Sequence, residues 1–137
     1  MSDAQRLLDN NFSFVEELLK KYGEFYPLAS AIRADDNIVQ IGTFDGDEKP
    51  LSDKLIGDLK KGLRAKKENY KSIIIYYDVR VASPFSEQKT DAIAAYFESK
   101  YEKTAYVFYC PYLLTKEREI KFFKSWKEET AKEIFDR

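Results

Sequence analysis

Apolar residues at Leu8, Phe12, Val15, Leu19 and Tyr22 recur at steps of four and three, and this helical period predicts a first helix, with Ser2 or Asp3 as its cap and Gly23 at its end. Asn10 and Asn11 lower helix propensity midway, a cost that a strong apolar face carries. "YPLASAIR" and "NIVQIGTF" follow, separated by "ADDN", whose side chains bond their own backbone and accept tight turns; the pattern predicts a hairpin over 27–33 and 38–44. "DGDEKPLSD" supplies turn residues, and Ser52 or Asp53 is placed to cap a second helix with Leu55, Leu59 and Leu63 on one face. Gly57 and Gly62 fall inside that helix, each at a cost of about 1 kcal/mol relative to Ala. Either the helix is marginal, or the glycines allow a close approach to a sheet.

From Lys71 the period changes to two. Segments 72–82, 91–99 and 104–114 are rich in Ile, Val, Tyr and Phe and predict an antiparallel meander. The charged extension 115–137 reads two ways: Ile120, Phe123, Trp126 and Ile134 suit a helix, whereas "REIKFFKSW" suits a sixth strand. We expect a strand or extended segment followed by a short terminal helix. The whole order predicts an α+β fold forming a single domain over 1–137. It has one mainly antiparallel sheet of five or six strands, an N-terminal helix and a second helix between strands 2 and 3. That element order resembles the profilin and roadblock-like folds, a likeness that does not determine function.

Composition narrows the chemistry. Apolar residues make up 44% of the 137, with ten Tyr and ten Phe, which is enough to offset the entropy of ordering a single core. With 23 basic against 24 acidic residues, the net charge gives no general attraction to nucleic acid or anionic membranes. "MSDAQRLLDNN" lacks the blocks of a signal peptide and no apolar run is long enough to span a bilayer, so the expectation is a cytoplasmic protein away from membranes. One cysteine, Cys110, excludes an internal disulfide and offers no zinc cluster. Histidine is absent altogether, which removes the usual general base, metal ligand and pH sensor. No metal or cofactor motif is present, and phosphate-binding, dinucleotide-binding, hydrolase-elbow and kinase signatures are all lacking.

The candidate site residues are Asp78, Arg80, Tyr76 and Phe85. In "SIIIYYDVRV", Ile74, Tyr76, Asp78 and Arg80 share one strand face while Ile73, Ile75, Tyr77, Val79 and Val81 share the other. The first face therefore passes from apolar to polar at Asp78. Asp78 and Arg80 either anchor a charged partner or form an ion pair at the exposed end of a strand, and we expect them to pair with each other. Phe85 lies among the turn residues of "ASPFSEQKTD". It is either an exposed binding residue or, as burial favours, folded back onto the core.

Other patterns carry less. "FDGDEK" lacks the calcium-loop spacing, and Asp45, Asp47 and Glu48 read as helix-start acids. Seven basic residues between Lys54 and Lys71 form a local patch with Tyr70 as the one stacking candidate, a better fit to a solvated helix face than to a nucleic-acid site. Cys110, without a nearby base, reads as a small buried hydrophobe.

"YGEFYPLA", "FDG", "YYDVRV", "KTDAIAAYFES" and "YCPY" together resemble a group of small bacterial proteins of similar length. Their shared pattern is G-x-F-Y-P, Asp-Gly, Y-D-V, D-A-I and P-Y over residues 15 to 113, and the tail after Leu114 departs from it. The group is loosely similar to immunity proteins of toxin–immunity systems, which bind and block a toxin domain. The resemblance implies a non-enzymatic protein-binding module and brings no catalytic residues. The expected partner is another protein, such as a toxin domain, with a homodimer left open. The alternative is a small-molecule binder or histidine-free enzyme using Asp78, Asp91 or Glu98 as acid or base. A weak nucleic-acid binder is the third reading.

Overall fold

A computed structural model of the chain describes residues 2–41 and 52–135. Helix α1 (Asp3–Tyr22) precedes the hairpin β1 (Leu28–Arg33) and β2 (Ile38–Ile41); helix α2 (Ser52–Ala65) then leads to β3 (Tyr70–Ala82), β4 (Lys89–Ser99) and β5 (Ala105–Leu114). Two short strands, β6 (Ile120–Phe122) and β7 (Trp126–Thr130), end the described chain. All pairings are antiparallel and the sheet order is β2-β1-β3-β4-β5-β6, with β7 also paired to β5. The expected α+β architecture, with one helix before the sheet and one between its second and third strands, is the observed one.

Both helices cover the sheet, one on each face. Leu7, Val15 and Leu19 of α1 pack with Ile32, Ile74, Tyr76, Ile93, Ala95 and Phe97. Leu59 and Leu63 of α2 pack with Ala29, Ala31, Ile73, Ile75, Ala94 and Tyr96 on the opposite face. A strand buried on both faces reads as a continuous apolar run, which explains Ile73 to Tyr77.

Helix α1 is bounded as its sequence predicts. Ser2 Oγ accepts the Gln5 N–H at 3.1 Å, and Gly23, at φ 78°, donates its N–H to the Leu19 carbonyl at 2.8 Å. Its buried line is Leu7, Asn11, Val15 and Leu19, rotated from the predicted stripe, and Tyr22 is exposed. Asn11 belongs to that line because its amide is satisfied: Ser30 donates to its oxygen at 2.7 Å and its nitrogen donates to Gln40 at 3.0 Å. The β1–β2 turn is tied down by Asp36, whose carboxylate meets Arg6 at 2.8 Å and Lys71 at 2.5 Å. These two cations, Lys71 foremost, hold it below the usual carboxylate range.

Three expectations need correction or restriction. Gly57 and Gly62 are exposed, and a methyl group added at either would meet nothing within 4 Å, so they serve no close approach to the sheet. The tail makes strands β6 and β7 and then bends, without a terminal helix through Phe135. Residues 42–44 of the predicted second strand, and the turn holding Asp45, Asp47 and Glu48, lie outside the described residues.

Candidate functional site

Strand β3 outruns its neighbours. Its pairing with β1 ends at Leu28↔Tyr76, and β5 reaches only Ala92↔Pro111 on β4, while β3 and β4 stay paired as far as Ala82↔Lys89. The remainder is a two-stranded arm projecting from the sheet. The polar switch at Asp78 falls where β3 has lost β1, and charged residues on an unpaired edge discourage unwanted strand pairing.

Asp78 and Arg80 do not pair with each other. Residues two apart on a strand stand roughly 6–7 Å apart, whereas directly opposite residues approach to about 5 Å. Arg80 lies opposite Asp91 and meets it at 3.2 Å, with both side chains more than half exposed. Asp78 instead accepts a hydrogen bond from the Tyr112 hydroxyl at 2.8 Å. Burial pushes its carboxyl up to about 6, against the lowering effect of that hydrogen bond, and the negative charges of Asp91 and Glu24 add to the rise. The group borders an open hollow of about 260 Å³ shared with Glu24, Tyr26, Arg80 and Asp91.

Tyr76, expected at the interface, is fully buried; its hydroxyl donates to the Leu7 carbonyl at 3.1 Å, so it joins α1 to the sheet and cannot touch a partner. Phe85 does the reverse. Expected to fold back onto the core, it stands 53% exposed at the tip of the arm. Ser83 Oγ accepts the Phe85 N–H at 3.0 Å and Ser86 Oγ accepts the Gln88 N–H at 3.3 Å, and these short-range bonds shape the turn.

A second segment reaches the same place. Tyr112 pairs with Phe122 and Tyr109 with Trp126, so two residues of β5, Cys110 and Pro111, face three of the returning chain, Phe123 to Ser125. This is a bulge, and Pro111 is its physical cause, since proline has no N–H to donate to a ladder. The Pro111 carbonyl still accepts the Phe123 N–H at 3.0 Å. The extra residue separates β6 from β7 and carries Phe123, 54% exposed, and Lys124 out of the ladder. Phe85, Phe123, Lys124, Lys89 and Pro111 then enclose a hollow of about 450 Å³. Trp126 meets Phe85 edge-on at 6.3 Å and stacks on Tyr109 at 5.0 Å, and the Lys124 ammonium lies 4.4 Å from the Phe85 ring centre.

Nothing in the sequence marked Phe123 as more than an ambiguous tail position. The signal was available in Pro111, because a proline inside an apolar strand implies a bulge or a free edge beside it.

The other nominated carboxylates are engaged elsewhere. Glu98 is fully buried, and its two oxygens accept the backbone N–H groups of Glu133, Ile134 and Phe135 together with the Tyr96 hydroxyl. Desolvation and this carboxylate push the Tyr96 hydroxyl well above its usual range. Lys60 adds an ion pair to Glu133, and Arg64 donates to the Glu133 carbonyl at 2.8 Å. Glu98 is thus an anchor for the chain end with no accepting capacity aimed at solvent, and Asp91 is committed to Arg80.

In the basic patch, Lys54, Lys60 and Lys71 each meet a carboxylate, and Tyr70 is buried, so it offers no stacking surface. Cys110 is half-buried and burial pushes its thiol up. Among the described residues, no group of three or more His, Cys, Asp or Glu is arranged to hold a metal ion, and no helix is long and apolar enough to cross a membrane. The chain matches no protein-family model, no curated protein and no solved structure.

Proposed function

We propose that this chain is a non-enzymatic protein-binding module whose contact surface is the tip of the β3–β4 arm together with the bulge between β6 and β7. One observation carries the reading. Phe85 and Phe123 come from separate segments, yet both stand about half exposed at one hollow. Leaving a phenyl group in water forgoes roughly 1.5–3 kcal/mol of burial free energy, so folding alone gives no reason to bring two of them together there. Clustered exposed aromatics on a rigid support are what an interface anchor requires. In a bacterial cytoplasm the partner is a toxin domain that binding neutralises, as the likeness to immunity proteins suggests.

Co-expression with the toxin encoded beside this gene tests the reading. The wild-type chain is expected to restore growth, and a folded Phe85→Ser/Phe123→Ser variant to fail. Equal rescue by the two would overturn the proposal.

A second reading rests on Asp78. A carboxyl titrating near 6 beside an open hollow suits a proton donor or acceptor in a chain without histidine. Its neighbours Asp91 and Arg80 neutralise each other, which leaves Asp78 without a second group for acid–base work.

A further inference from the structure

We infer that the hollow between Phe85 and Phe123 takes an acidic peptide segment carrying an apolar side chain, which assigns a chemistry to the partner and rests on the protein-binding reading above. The apolar half of the argument is the pair of phenyl walls over the Pro111 floor, enclosing about 450 Å³, a volume suited to one or two side chains. The charged half is the rim. Lys89 and Lys124 both border the hollow, and no carboxylate lines it. Neither lysine is in an ion pair among the described residues, in contrast to Lys54, Lys60 and Lys71. Lys124 is held over the Phe85 ring, which keeps its ammonium at the mouth of the hollow and leaves its donors for an anion.

The hydroxyls add to this. Ser83 and Ser86 accept hydrogen bonds from their own turn through oxygen, so each retains its O–H to donate. Two ammonium groups and two free hydroxyl protons around an apolar slot complement carboxylates flanking an aromatic or aliphatic side chain. A nucleic-acid strand is a poorer match, because two lysines neutralise at most two phosphates and binding of that kind depends on many.

Titrations of the full chain followed by amide chemical shifts test this. The probes are a capped Asp-Glu-Phe-Glu-Asp peptide, the same peptide with Lys in place of each acid, and an oligothymidylate. The acidic peptide is expected to shift the amides of Phe85, Ser86, Lys89, Thr90 and Lys124, and to bind at least about tenfold more tightly than the basic one. Lys89→Glu/Lys124→Glu should abolish the difference while leaving thermal stability unchanged, since Lys89 and Lys124 are exposed. Equal binding of the acidic and basic peptides, tighter binding of the oligothymidylate, or shifts confined to another surface would each overturn the inference. Against the toxin partner the two proposals separate. If Phe85→Ser/Phe123→Ser abolishes binding and the charge-reversed variant does not, the acidic-segment inference falls and the protein-binding reading stands. If neither variant changes binding, both fall.

Discussion

The Glu98 carboxylate accepts the backbone N–H of Phe135 at 2.5 Å, joining the middle of β4 to the far end of the described chain. Around this contact the N–H groups of Glu133 and Ile134 converge on the same carboxylate, and Ile134 and Phe135 are buried in the core beneath α2. A charge taken so completely out of water is tolerated because every lone pair has a donor. The last residues are therefore part of the folded unit, although they follow a stretch of exposed, charged positions.

Glu98→Gln keeps the shape but replaces one accepting oxygen with an NH₂ group that faces backbone donors. It is expected to destabilise the protein by about 2–3 kcal/mol in urea unfolding, the scale of a lost charged hydrogen bond left unsatisfied. Deleting residues 133–137 should cost at least as much, and a loss below about 0.5 kcal/mol in both would show that the anchor is not structural.

Gly57 and Gly62 lie on the solvent side of α2 with open space around them. Gly57→Ala and Gly62→Ala should each stabilise by roughly 0.5–1 kcal/mol, since alanine loses less backbone entropy in a helix. Thermal unfolding of the double variant checks this, and a lowered Tm would mean that something covers this side of α2.

The Arg80–Asp91 pair is solvent-exposed on both sides. Arg80→Ala is expected to change stability by less than about 1 kcal/mol, with the effect shrinking further in high salt. A loss of several kcal/mol would contradict the reading of the pair as a surface contact on an edge.

Asp78 gives a pH dependence whose sign is set by its raised carboxyl. A group that holds its proton more tightly when folded favours the folded state below its unfolded value of about 4, and that contribution is lost as pH rises through about 6. Asp78→Asn is always neutral. The Tm of this variant minus that of the wild type should therefore increase between about pH 4 and about pH 7. A flat difference would show that Asp78 ionises as freely in the fold as in the open chain.

Much of the architecture was legible because it follows from period. Leu55, Leu59 and Leu63 at helical spacing, and the alternation through β3, name both the element and the face it buries. Pairings between distant residues were not legible. Asp78 and Arg80 are neighbours in the chain, but their partners, Tyr112 and Asp91, are set by the registers of β3 with β4 and of β4 with β5. Burial along one face was equally hidden, since alternation places Tyr76 and Asp78 together and only the end of β1 separates a core residue from a rim residue. Phe123 needed the bulge opposite Pro111, a feature that the charged tail obscured.

The central claim, that Phe85 and Phe123 are exposed for a partner and not left over from folding, is tested most directly by measuring Tm and toxin-domain affinity in parallel on Phe85→Ser/Phe123→Ser. Loss of two aromatic anchors is expected to weaken binding by about a hundredfold or more while Tm falls by only a few degrees. Unchanged affinity together with a large drop in Tm would contradict the account, because the two rings would then belong to the fold.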